Sequence, residues 1–321
     1  MGDTAPLIGT AAAPIPDNGA AEWFTGAGGA RLRAALFRPT GPERGSVVVS
    51  PGRTEPIEKY FEVVRELQAR GFTVLTHDWR GQGLSKRLLA DPMHGHASGF
   101  KDFLADYDRL LATFEDRLPR PWIALGHSMG GCLTLLALAT GEARFAGAIL
   151  SAPMLALHTG PVPRPVGVAL AALMDGVGLG GASVTGRPRA PIEETFQNNV
   201  LTHDRARYER NQAQVETCPD LALGGPTWGW LNFAFRAIGL LASGGGVTEI
   251  RTPVVVLAAM DDKIVDVEGQ RRVTARIPGA RFVEVAGAYH EILQETDPIR
   301  AVFWHEFDAL AASLAPISQP A

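Results

Sequence analysis

Trp122-Ile123-Ala124-Leu125-Gly126-His127-Ser128-Met129-Gly130-Gly131-Cys132-Leu133 is the stretch that decides the fold. The apolar run before Gly126 has strand character, and the Leu- and Ala-rich run from Gly131 to Ala139 is a good helix. The G-x-S-x-G between them therefore reads as a sharp strand-to-helix turn. Glycines flank the serine because the turn is strained and its neighbours pack too closely for a Cβ. The turn pushes the Ser128 hydroxyl out at the carboxyl end of a strand. It also sets the Met129 backbone N–H at the start of a helix, aimed at a developing oxyanion. Ser128 is the candidate nucleophile; the bland alternative, a glycine-rich turn with an ordinary serine, lacks a reason for the flanking strand and helix.

Working outward, Ser46-Val47-Val48-Val49 is a buried strand by its β-branched run, followed by a helix over Ile57 to Arg70 with Gly71 as its stop. Phe72 to Leu75 is the next strand, Phe100 to Leu118 a helix, and Ala148 to Ser151 the strand after the Ser128 helix. Arg31 to Arg38 reads as an early antiparallel strand after Ala21 to Phe24. This alternation predicts an α/β fold: a mostly parallel central sheet with helices on both faces and ligands beyond the carboxyl ends of the strands. The pattern breaks from 154 to 246, which holds Pro161, Pro163 and Pro165, a glycine cluster from Gly176 to Gly186, and helical pieces at Leu201 to Val215 and Leu231 to Leu241. We read 154–246 as a largely helical cap inserted over the strand ends. The core, 21–153 and 247–321, resumes with strands at Pro253 to Ala259 and Arg281 to Val285 and a last helix from Pro298 to about Leu314. Residues 1–20, rich in Ala and Pro, are expected to form a disordered tail.

The chain has 321 residues, 46% hydrophobic and 20% charged, with a net charge of -4. That suits a large globular core and carries no general basic footprint for nucleic acid. Two cysteines far apart, Cys132 and Cys218, do not make a disulfide framework. The first residues lack a basic region and an apolar core of signal-peptide length, and no apolar run reaches the roughly 18 residues of a spanning helix. The expected location is cytoplasmic.

A serine needs a base, and the base needs an orienting acid. With the order Ser…Asp/Glu…His, Asp261 and Asp262 follow the last-but-one strand, and Ala288-Tyr289-His290-Glu291 follow the last. His305 falls inside the terminal helix, so His290 is the expected base. The acid is expected at Asp262, with Asp261 and Asp266 as alternatives. The second oxyanion donor should come from Pro51-Gly52-Arg53, after an early strand, with the Arg53 N–H as candidate beside that of Met129.

Pro51-Gly52-Arg53-Thr54-Glu55…Lys59-Tyr60, Asp78-Trp79-Arg80-Gly81-Gln82-Gly83 and Arg87-Leu88-Leu89-Ala90-Asp91-Pro92 resemble the bacterial lysophospholipases related to monoacylglycerol lipases, within the α/β-hydrolase superfamily. Gly126 to Gly131, Asn199-Val200-Leu201-Thr202-His203, Gly224-Gly225-Pro226-Thr227 and Gly287-Ala288-Tyr289-His290-Glu291 extend the resemblance, which runs from about Val47 to His305. It implies a Ser128, Asp262, His290 triad and a serine esterase acting on single-chain lipids, lysophospholipid or monoacylglycerol. In the acid motif Ala259 stands where the family usually has Gly, while Val265 fits. The chemistry needs no cofactor and no metal. Hydrolysis of other esters, or aminopeptidase activity, fits the same core; a non-catalytic binding protein would lack a triad member.

Other residues have blander readings. His94 and His96 form H-x-H without further ligands and are expected to make loop hydrogen bonds. Asp78 and Arg80 are expected to pair locally near the elbow. The Arg53 side chain is expected in a surface salt bridge, its alternative being a phosphate or headgroup contact at the pocket mouth. Trp228 and Trp230 are candidate acyl-chain contacts in the cap. Pro165 to Leu179 is expected as a buried cap helix, the alternative being peripheral contact with a lipid surface, on the inner membrane face. Oligomeric state is left open.

Overall fold

The computed structural model describes residues 3–185 and 195–314. The end of the expected glycine cluster at Gly186, and the last residues of the core from 315 onward, lie outside them. Nine strands form one sheet in the order β1-β2-β3-β5-β4-β6-β7-β8-β9. They are β1 (Asp3–Ala5), β2 (Gly19–Thr25), β3 (Arg31–Phe37), β4 (Gly45–Ser50), β5 (Phe72–His77), β6 (Trp122–His127), β7 (Phe145–Ser151), β8 (Val254–Ala259) and β9 (Arg281–Val285). The first three pair antiparallel, and β3 joins β5 antiparallel. From β5 to β9 every pairing is parallel. The helices are α1 (Phe61–Ala69), α2 (Phe100–Phe114), α3 (Ser128–Ala139), α4 (Arg164–Met174), α5 (Arg205–Thr217), α6 (Trp228–Ala242), α7 (Val267–Thr274) and α8 (Asp297–Leu314).

Side chains that alternate along the strands feed two cores. Val48, Leu75, Ala124 and Leu150 face one way, into a cluster with Phe103 and Tyr107 of α2, Leu133 and Leu136 of α3 and Phe233 of α6. Val47, Val49, Leu125 and Ile149 face the other, against Phe61 and Val64 of α1 and Phe303 and Phe307 of α8. Strands covered on both faces read as continuous apolar runs because neither side meets water. The arrangement is the α/β architecture expected, with helices on both faces of a mostly parallel sheet.

The structure corrects the expected disordered tail. Asp3–Ala5 is an edge strand paired with β2, Ala5 is buried, and the Ile8 N–H donates to the buried Glu58 carboxylate at 3.1 Å. Backbone hydrogen bonding to an open sheet edge orders a segment whose composition carries no strand periodicity. A second correction concerns Leu201 to Val215. The helix starts at Arg205, because Asp204 accepts the Arg207 N–H at 2.9 Å and caps it. Ahead of it, the Asn199 carboxamide oxygen accepts the Leu201 and Thr202 N–H groups and holds a turn.

The third correction is α4. The expected buried helix buries only Ala171. Val166, Leu173 and Val177 are 53%, 60% and 61% exposed, so an apolar row faces outward. Its inner side rests on α6, with Gly167 3.7 Å from the Phe235 ring measured from an ideal Cβ. No helix among the described residues is long and apolar enough to cross a membrane.

Candidate active site

Ser128 sits at the β6–α3 junction with φ +49°, a left-handed conformation that costs a non-glycine residue energy. The surroundings leave it no way to relax. A Cβ on Gly130 would lie 2.1 Å from the Ser50 carbonyl oxygen, and one on Gly126 would lie 2.7 Å from the Gly131 Cα. The Ser128 carbonyl accepts the Met154 N–H at 2.9 Å, tying the turn to the chain beyond β7.

His290, in the loop after β9, places Nε2 2.9 Å from Ser128 Oγ and Nδ1 2.6 Å from Asp262 Oδ2. The second Asp262 oxygen accepts the Ile264 and Val265 N–H groups at 2.7 and 3.0 Å. Asp261 points to solvent, and Asp266 caps α7 by accepting the Glu268 N–H at 3.1 Å. Of the three acidic candidates, only Asp262 reaches the histidine. Burial opposes the Asp262 charge, but the His290 hydrogen bond and the two backbone donors outweigh it and hold the carboxyl below its ordinary range. Burial likewise pulls His290 down, yet Asp262, with Glu291 and Glu55 behind it, moves it above its ordinary value. With Nδ1–H donating to Asp262, Nε2 presents its lone pair to the serine hydroxyl. A chain so arranged can draw a proton from Ser128 and stabilise the resulting imidazolium.

The loop after β4 is pinned on each side of Arg53. The Gly52 N–H donates to Glu55 Oε2 at 2.5 Å, the Thr54 N–H to Gln82 Oε1 at 2.5 Å, and Trp79 Nε1–H to the Pro51 carbonyl at 2.8 Å. Met129 is the second residue of α3, so its N–H has no acceptor within the helix. Arg53, Ser128 and Met129 line one cavity of about 560 Å³. Leu157, Leu170, Trp228, Trp230 and Phe235, all from the segment between β7 and β8, roof the same cavity. Both tryptophans singled out from the sequence therefore face it.

The Arg53 side chain departs from expectation. It makes no surface salt bridge: among the described residues no carboxylate lies within 4.0 Å of it. Its Nη2 donates to the Gly224 carbonyl, its Cζ lies 5.2 Å from the Trp230 ring centroid, and its Nε is buried without a hydrogen-bond partner among the described residues. Burial pushes its pKa down to about 10.

Three residues that carried no assigned role form a buried charge cluster beside the histidine. Lys59 Nζ is 2.9 Å from Glu55 Oε1 and 2.5 Å from Glu291 Oε1, and Tyr60 donates to Glu55 Oε2 at 2.7 Å. Glu55 and Glu291 are far apart in sequence, so only the spacing of four between Glu55 and Lys59 was available as a signal. His127, its ring 4.9 Å from that of His290, donates from Nδ1 to the Ser151 carbonyl at 3.0 Å; burial pushes its pKa to about 4, so it stays neutral.

The remaining sequence candidates fall elsewhere. His96 Nδ1 lies 2.9 Å from Thr227 Oγ1, a loop-to-loop contact, and the described residues contain no group of three His, Cys, Asp or Glu placed to hold a metal. Asp78 and Arg80 do not pair with each other. Asp78 meets the buried Arg33 at 2.7 Å, and Arg80 meets Asp106 of α2 at 2.5 Å.

Residues 41–297 match a family model described as serine aminopeptidase, S33. Lysophospholipase L2 of Escherichia coli K12 is 36% identical over 303 residues, covering 88% of this chain and 84% of that protein. A monoacylglycerol lipase of Mycolicibacterium smegmatis is 27% identical, covering 85% and 91%. In overall fold, a crystal structure of a monoacylglycerol lipase from Paleococcus ferrophilus is similar with TM-score 0.69 at 22% identity, covering 88% of this chain and 98% of that one. A carboxyl esterase from Bacillus coagulans reaches TM-score 0.72 at 16% identity, with coverages of 93% and 98%. By sequence match and by architecture alike, this chain belongs to the S33 serine aminopeptidase family of α/β-hydrolases, in which its relatives include lysophospholipases and monoacylglycerol lipases, and it is a hydrolase.

Proposed function

We propose that the protein is a serine carboxylic-ester hydrolase of single-chain lipids, lysophospholipids or monoacylglycerols. The observation that carries this reading is the Ser128–His290–Asp262 hydrogen-bonded chain opening into a cavity roofed by apolar and aromatic side chains. The names of the relatives from Escherichia coli and Mycolicibacterium smegmatis point the same way. Ser128 Oγ attacks the ester carbonyl carbon while His290 Nε2 takes its proton. The oxyanion lies between the Met129 and Arg53 N–H groups. Collapse breaks the ester C–O bond, and the glycerol-side oxygen leaves with the proton from His290. Water attacks the acyl-Ser128 ester by the same route and releases the fatty acid. Asp262 keeps the imidazole in the tautomer this requires.

Aminopeptidase activity is the weaker reading. A free α-amino group needs an unengaged acid near the nucleophile, and the cavity carboxylates Glu55 and Glu291 are both bound by Lys59. The segment 154–246 acts as a cap on this reading, and α4 extends it to a lipid surface. Gly167 and Leu170 line the cavity, while Val166 and Leu173 of the same helix, and Val177 just beyond its end, are exposed, so an apolar path runs from the surface to the site. Vesicle flotation should recover the wild-type protein and lose Leu173→Asp/Val177→Asp.

The deciding experiment is a panel of lysophospholipids, monoacylglycerols, short p-nitrophenyl esters and aminoacyl-anilides, with released fatty acid or chromophore measured. Turnover confined to the anilides would reject the lipid reading.

A further inference from the structure

We propose that the Arg53 guanidinium binds the phosphate of a lysophospholipid, so that this one residue selects phosphorylated over neutral single-chain esters. The inference rests on the ester-hydrolase reading above and assigns its headgroup site. Three buried arginines of the fold hold carboxylates: Arg33 meets Glu58 and Asp78 at 2.7 Å, Arg80 meets Asp106 at 2.5 Å, and Arg300 meets Glu66 at 2.5 Å. The half-buried Arg87 instead gives its guanidinium to three backbone carbonyls, those of Gly81, Asp220 and Ala222. Arg53 is different. Among the described residues it has no carboxylate partner, one hydrogen bond from Nη2 to the Gly224 carbonyl, and a buried Nε with no acceptor. An enclosed cation without a counter-charge is costly unless an anion arrives to complete it. The carboxylates that share the cavity, Glu55 and Glu291, do not serve, because Lys59 engages both.

The surroundings keep space for this group. An ideal Cβ on Gly95 would lie 2.1 Å from Arg53 Nη2, so only glycine there leaves the guanidinium in place. The Gly95 strand-like bridge to Pro226 and the Gly224 N–H to Met93 carbonyl bond at 2.8 Å fix both walls. Trp230 covers a further side at 5.2 Å. The exposed Lys263 lines the same cavity and has no ion-pair partner among the described residues, so the mouth carries a second positive charge.

Position supplies the specificity. The proposed oxyanion donor is the backbone N–H of Arg53 itself. In a 1-acyl lysophospholipid the glycerol backbone separates the ester carbonyl from the phosphate, so one residue would hold the carbonyl oxygen with its amide and the phosphate with its side chain. A planar guanidinium matches phosphate oxygens with paired, charge-assisted bonds. A monoacylglycerol offers only a hydroxyl there and leaves the cation uncompensated.

The test compares kcat/KM for a lysophosphatidylglycerol and a monoacylglycerol of the same acyl chain, both below their critical micelle concentrations. Wild-type enzyme should favour the phospholipid; a ratio at or below one overturns the proposal. Arg53→Met should lower that ratio by about tenfold or more, chiefly through KM for the phospholipid, and Arg53→Lys should restore part of it. An unchanged ratio in Arg53→Met overturns it. Gly95→Ala, which displaces the guanidinium without removing it, should lower the ratio in the same direction and provides the reading if Arg53→Met does not fold. On wild-type enzyme with a p-nitrophenyl ester, glycerol 3-phosphate should inhibit where glycerol does not. Inorganic phosphate inhibiting as strongly as glycerol 3-phosphate would mean a general anion site and overturn the headgroup assignment. Failure of the wild type to cleave either lipid would reject the ester-lipase reading instead, a different result from cleavage of both with an Arg53-independent ratio.

Discussion

Lys59 Nζ meets Glu291 Oε1 at 2.5 Å, joining the short 3-10 helix Ile57–Tyr60 behind the β4 loop to the residue that follows His290. The same ammonium holds Glu55, and Glu55 holds the Gly52 N–H at 2.5 Å. One buried cation therefore positions the two loops that flank Ser128. Burial opposes the Lys59 charge, but the two carboxylates hold its pKa above the ordinary value.

Lys59→Met should show what this cluster does. It leaves two buried carboxylates facing each other without a cation, a loss of about 3–5 kcal/mol by analogy with broken buried pairs. Chemical denaturation should report that loss. Glu291→Gln in the Lys59→Met background should recover part of it by removing one charge. Equal stability of Lys59→Met and wild type would mean that water, not the ammonium, compensates these carboxylates.

With His290 as the proposed base, the acidic side of the pH profile follows from its protonation. The base works only when neutral, so kcat/KM should rise with pH through its pKa. Burial lowers that pKa, and Asp262, Glu291 and Glu55 raise it by more, so the midpoint should lie above the ordinary value of about 6.5. Glu291→Gln removes one source of the upward shift and should move the midpoint to lower pH. A move to higher pH would contradict the electrostatic ordering. His127, pushed down to about 4 by burial, stays neutral across this range and should leave no inflection of its own.

The proposed nucleophile and its partners make sharper predictions. Ser128→Ala should lose hydrolysis by several orders of magnitude with little change in stability. His290→Ala should fall nearly as far, and the double variant no further, because the two act as one unit. A fluorophosphonate probe should label wild type but neither variant. Asp262→Asn should lose about four orders of magnitude, since the Ile264 and Val265 N–H groups keep the carboxamide oxygen and turn its NH2 toward Nδ1, which forces the wrong tautomer and leaves no charge to stabilise the cation. Asp261→Asn, on a side chain that faces solvent, should be mild.

How much of this was legible in the sequence depended on whether the cause was local. Gly126 and Gly130 announce the elbow because the clashes they avoid involve backbone a few residues away or on the adjoining strand. Val47 to Val49 reads as a buried strand because both faces are covered. Order in Asp3–Ala5 was not legible: it comes from pairing with Trp23 and Ala21 on β2 rather than from side-chain pattern. The exposure of α4 was hidden for the opposite reason. Its residues are as apolar as a core helix, and only its place at the rim of the cavity turns Leu173 outward. The Glu55–Lys59–Glu291 cluster, and an Arg53 with no carboxylate partner among the described residues, were invisible because burial and the choice of partners are properties of the folded molecule.

The last prediction concerns acyl length. The roof of the cavity comes from the segment between β7 and β8, and Leu157, Leu170, Trp228, Trp230 and Phe235 make it apolar. A soluble short ester gains nothing from such a roof, whereas a lipid chain must leave water as its ester reaches Ser128. Burial contributes about 0.8 kcal/mol per CH₂, so each added methylene should raise kcat/KM by at most roughly four-fold. The rise should stop when the chain outgrows a cavity of about 560 Å³. Trp228→Ala should weaken medium-chain esters more than acetates. Trp230→Ala should do so more strongly and also disturb the phosphate preference, because the indole covers the Arg53 guanidinium at 5.2 Å. The measurement is a p-nitrophenyl ester series held below the critical micelle concentration, so that aggregation does not imitate specificity. A profile that is flat, or highest at acetate, would leave a serine hydrolase whose roof serves something other than an acyl chain.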